Sequence, residues 1–86
     1  MGESKEPQKG FGRALKKARS EAELTQKELA RRAELDPSQV SEFENGKGNP
    51  RWGTARRMAG ALGVTLDELA GSAEEFEKRL GKRPPA

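Results

Sequence analysis

Residues 24–45, LTQKELARRAELDPSQVSEFEN, decide the fold. Thr25 is followed three residues later by Glu28, the reciprocal capping pair that opens a helix, and Leu24 is spaced to pack on Leu29 as a hydrophobic staple. Asp36 repeats the arrangement, with Pro37 at the first helical position, Gln39 three residues on, and Leu35 and Val40 in the staple positions. Only Ala33, Glu34 and Leu35 separate the two segments. So short a connection between helices of about two turns each forces a sharp crossing. The small Ala30 lies where the helices must pass closely, and Leu29, Ala33, Leu35, Val40 and Phe43 supply the inward faces. That leaves Pro37, Ser38, Gln39, Ser41, Glu42 and Asn45 outward: short polar side chains on a rigid helix, the equipment of major-groove reading.

The same punctuation continues on both sides. Upstream, Phe11, Leu15, Ala18 and Ala22 line one helical face. Downstream, Trp52, Ala55, Ala59 and Leu62 do so, and Trp52 reads as core or as a dimer contact. Thr65 pairs with Glu68, with Val64 and Leu69 as staple, and Ser72 pairs with Glu75 without one. Gly46, Gly63, Gly71 and Gly81 each stand just past a periodic segment, where a left-handed residue ends a helix. The spacing therefore predicts an all-α chain with helices near 10–22, 25–32, 36–45, 51–62 and 65–70, and a weaker sixth near 72–80. Residues 1–9 read as a disordered arm, 10–71 as a helix-turn-helix domain, and 72–86 as a short C-terminal helix and tail.

Composition narrows the function. The chain has 86 residues, enough for one domain, with 31% hydrophobic and 36% charged residues, so the core is thin. It contains no Cys, His or Tyr, which removes disulfides, the usual zinc ligands and the commonest general base. A nucleophile would have to be Ser or Thr, and every such arrangement reads as capping chemistry, so no enzyme, cofactor or metal is expected. No apolar run approaches the roughly 18 residues that span a bilayer, and no membrane partner is expected. The formal net charge of +3 is uneven. Arg13, Lys16, Lys17 and Arg19 precede the central segment, and Lys47, Arg51, Arg56 and Arg57 follow it with no acid among residues 47–57. The middle is net negative. Lys16 and Lys17 read as ordinary surface charge rather than phosphate clamps.

Several segments resemble the phage repressor/Cro-type family, often called XRE: Leu-Thr-Gln-Lys-Glu-Leu-Ala at 24–30, Ser-Gln-Val-Ser-Glu-Phe-Glu-Asn-Gly-Lys at 38–47, Asn-Pro at 49–50 and Ala-Leu-Gly-Val-Thr-Leu-Asp-Glu-Leu at 61–69. The resemblance covers about residues 11–70. It implies a compact five-helix repressor-like domain with the helix-turn-helix at helices two and three. By resemblance, Gln26 touches a phosphate and braces the recognition helix; Pro37, Ser38, Gln39 and Glu42 stand at base-reading positions. Thr25, Ser41, Asn45, Lys47 and Arg51 stand toward phosphates or the minor groove, and Arg19 and Glu44 form a structural salt bridge. This chain departs from the pattern in placing Glu34 where the turn usually has Gly, a left-handed position that costs a non-Gly residue roughly 1 kcal/mol. Pro37 offers no donor, Gly53 weakens the start of helix four, and Trp52 replaces an aliphatic residue. Glu42 has two readings: a carboxylate that accepts from cytosine N4, or a solvated or ion-paired side chain.

The functional expectation is a sequence-specific transcription regulator, a repressor, acting in a prokaryotic or phage cytoplasm as a homodimer on a palindromic operator in double-stranded DNA. Leu66 is the main dimer candidate, with Phe76 and Leu80 as additions. The alternative is an antitoxin or adaptor whose main task is to hold a partner protein. The stripe Ala73, Phe76 and Leu80 reads equally as a cap on the domain or as an interface.

Overall fold

The computed structural model describes residues 9–48 and 50–81, the side chains of 9, 76, 77 and 79–81 excepted. Five helices follow one another: α1 (Lys9–Glu21), α2 (Gln26–Arg32), α3 (Pro37–Glu44), α4 (Trp52–Leu62) and α5 (Leu66–Gly81). Local chemistry sets their starts. The Thr25 hydroxyl accepts from Glu28 N–H at 3.0 Å while the Glu28 carboxylate accepts from Thr25 N–H at 2.8 Å. Thr65 and Glu68 do the same at 3.0 and 2.9 Å. At α3, Gln39 Oε1 accepts from Asp36 N–H at 3.0 Å.

The ends of α1 to α4 share one device. The residue past the helix turns into the left-handed region, and the next N–H bonds back to a carbonyl five residues earlier: Leu24 to Arg19, Leu35 to Ala30, Lys47 to Glu42 and Val64 to Ala59. Gly46 (φ 77°) and Gly63 (φ 76°) fill this position at two ends. Glu34 (φ 61°) fills it in the turn and Glu23 (φ 60°) after α1. Three of the following residues, Leu24, Leu35 and Val64, are apolar and reach the core, so one residue both closes one helix and staples the next.

Two clusters make the core. Leu15, Leu29, Ala30, Ala33, Val40, Met58 and Leu62 form the larger, under the α2–α3 pair. Ala14, Ala59, Leu69 and Ala73 form the smaller, between α1, α4 and α5, and Phe11, Ala18 and Val64 pack against both. Half of the buried apolar residues are alanines, which lets helices approach closely on few large side chains. Closest is α1 on the end of α3: a methyl group at Gly12 would lie 2.5 Å from the Phe43 carbonyl oxygen and 2.7 Å from that of Glu44.

Some expectations are corrected. Among the described residues there is no separate sixth helix: α5 runs unbroken through Gly71 and Ser72 to Gly81. Gly71 is a tolerated interior glycine, because Leu69 and Ala73 on either side of it are buried against neighbouring helices and hold the axis straight. Trp52 is not core: at the first residue of α4 it is 71% exposed. Ala22 falls past the end of α1 and is exposed, while Ala14 and Met58 are buried in its stead.

Candidate nucleic-acid interface

The second helix of the α2–α3 pair is fixed from its C-terminal end. Glu44 is buried, with its side chain 2% exposed. It receives Arg19 Nε at 2.5 Å and Nη2 at 3.1 Å, a bidentate pair from α1. Gln26 Nε2, at the first turn of α2, donates to the same carboxylate at 2.9 Å. The remaining Arg19 nitrogen donates to the Leu24 carbonyl at 2.8 Å. One buried carboxylate thus joins α1, the start of α2 and the end of α3, and no buried polar side-chain atom in the described residues lacks a partner. The hydrogen bond with Glu44 raises the Arg19 guanidinium above its already high value.

The turn between α2 and α3 has its own clamp. Arg57 Nε, on α4, donates to the Ala33 carbonyl at 2.8 Å. Sequence alone counted Arg57 among the flanking cations; the structure engages it in the fold. No local signal gives this away, since the two residues are 24 positions apart.

What α3 leaves outward is polar and open. Pro37, Ser38, Gln39 and Glu42 are exposed, Ser41 is half-buried, and Asn45 ends the helix exposed. With Gln39 Oε1 held by the Asp36 N–H, its Nε2 hydrogens remain for an outside acceptor. Glu42 makes no ion pair among the described residues, and its carbonyl accepts the Lys47 N–H at 2.8 Å. Also exposed are Thr25 and Lys27 at the start of α2, Lys47 after α3, and Arg51 at the N-cap of α4. Gln26 is half-buried by its bond to Glu44. Arg13 and Lys16 border an open cleft beside Asn45 and Gly46, on the same end of α3. Leu66 lies half-buried at the start of α5; the side chains of Phe76 and Leu80 lie outside the described residues.

Two short helices packed together across residues 33–36, the second braced at its end and polar outward, are the arrangement of a helix-turn-helix. A family profile described as a helix-turn-helix domain matches residues 11–71. The chain belongs to that family. It is 38% identical over 66 residues to the control protein C.MunI of Mycoplasma sp, covering 76% of this chain and 89% of that one. It is 37% identical over 60 residues to the immunity repressor protein of Bacillus phage phi105, covering 70% of this chain but only 42% of the repressor. The restriction-modification controller protein C.AhdI from Aeromonas hydrophila superposes with a TM-score of 0.71 at 32% identity, covering 72% of this chain and 94% of that one. The family and the five-helix fold read from the sequence are those found. The chain carries the DNA-binding domain of a transcriptional regulator.

Proposed function

We propose that the chain is a sequence-specific repressor that binds duplex DNA as a symmetric dimer and reads the major groove with the first two turns of α3. The observation that carries this reading is the Arg19–Glu44–Gln26 network, which fixes α3 at its C-terminal end while Pro37, Ser38, Gln39 and Glu42 stay exposed and the exposed cations Lys47 and Arg51 follow the helix in the chain. Ser38, Gln39 and Glu42 contact base edges and Pro37 offers an apolar contact. Thr25, Gln26, Ser41, Asn45, Lys47 and Arg51 hold the backbone. A single module buries roughly 600–1,000 Å², too little for operator-grade discrimination, so two copies bind half-sites about 34–36 Å apart. Leu66, with Phe76 and Leu80, supplies the contact between copies. The protein works in a prokaryotic or phage-infected cytoplasm; among the described residues no helix is long and apolar enough to cross a membrane.

With acidic Glu42 on α3 and no cation in residues 36–45, binding to random DNA is weak and the right site is demanded. Anisotropy titration of a labelled palindromic duplex at several salt concentrations tests this. A steep fall of log K with log salt, and a stoichiometry of two chains per duplex, supports the dimeric regulator. Binding that is weak for every duplex and vanishes near physiological salt overturns it, and turns attention to a partner protein held by α5.

A further inference from the structure

Trp52 is the one large apolar side chain left exposed among the described residues, at 71%. Its surroundings are chemically one-sided. Arg51 precedes it, Arg56 lies one turn further along α4, and Lys47 opens the loop that leads to it, all exposed. No acidic residue occurs between 47 and 57. Nothing lies within 4 Å of where a side chain at Gly53 would begin, so the first turn of α4 is open to an approaching surface there. The loop is tied to the recognition helix by the Lys47 N–H bond to the Glu42 carbonyl. Five residues of chain reach about 18 Å at most, so Trp52 cannot stand far from α3. A helix seated in a major groove about 12 Å wide has a sugar-phosphate strand on each side within that reach.

From this we infer that Trp52 packs against the DNA sugar-phosphate backbone bordering the groove, its ring on deoxyribose and its indole N–H toward a phosphate, between Arg51 and Lys47. A large amphipathic ring with a single donor suits a surface that alternates apolar sugar and anionic oxygen. The role rests on the DNA-binding reading and extends it to a residue that carries affinity without base preference.

The chain has one Trp and no Tyr, so its emission reports this side chain alone. Acrylamide quenching of that emission is measured on the full chain with and without a duplex whose binding is followed by anisotropy. Quenching should fall severalfold in the complex. Trp52→Ala should weaken binding about tenfold, equally for selected and random duplexes, while Trp52→Phe retains most of it. Unchanged quenching in a duplex-saturated sample overturns the inference. Shielding that grows with protein concentration in the absence of DNA also overturns it, assigning Trp52 to a contact between copies. A loss confined to selected duplexes overturns it in favour of base stacking. If no duplex binds at all, the DNA-binding reading fails first and this role with it.

Discussion

Glu44 is the residue on which the recognition helix depends. It is buried and bonded to groups on two other helices, so replacing its carboxylate leaves Arg19 without a counter-ion. Glu44→Gln should cost about 3 kcal/mol, read as a lowered urea midpoint, with Arg19→Ala comparable and the double variant far from additive. Additive losses would mean the pair is decoration. Glu28 behaves differently. The backbone N–H of Thr25 holds its carboxyl below the ordinary value near 4.5. A carboxyl lowered on folding stabilises the native state above its unfolded value, and that contribution is lost as pH falls through the folded value. Stability from this cap is therefore flat at neutrality and declines below about pH 4.5. Glu28→Gln should flatten that part of the acid limb in urea titrations by lowering neutral stability toward the acid value.

At the scale of the element, starts and stops follow from neighbours in the chain, and this is where the sequence is legible. The capping pairs Thr25/Glu28 and Thr65/Glu68 and the glycines at 46 and 63 are local chemistry, and the structure uses each of them. Glu34 occupies a left-handed position, so Glu34→Gly should raise stability by roughly 1 kcal/mol without moving the turn. Glu23 does the same after α1 and carries no signal, because only the packing of Leu24 requires the chain to turn there. Gly71 misleads for the converse reason. Its residue type says stop, but Leu69 and Ala73 packed in the core carry the helix across it. Gly71 is exposed with open space beyond it, so Gly71→Ala should stabilise by about 1 kcal/mol, as an interior helix position would. A loss of stability on that change, by thermal or urea unfolding, would place a real break at residue 71.

The whole molecule is a scaffold that holds one short helix outward, and what the sequence conceals are the contacts that cross it. Gly12 against the end of α3, and Arg57 on the Ala33 carbonyl, join residues too far apart for periodicity to connect. Trp52 shows the same limit from the other side: its spacing assigns it to the buried stripe of α4, yet at the helix start it is left 71% exposed. The candidate interface was more legible than these contacts because α3 sorts its side chains by helical angle alone, with Val40 inward and Ser38, Gln39 and Glu42 outward. Whether that face reads sequence is tested by selecting bound duplexes from a random library with the unaltered chain and with Glu42→Gln. A palindrome with half-sites about one helical turn apart, changed by the substitution at one base position per half-site, is the expected result. An identical preference in both proteins, or no enriched sequence in either, would contradict base reading by α3.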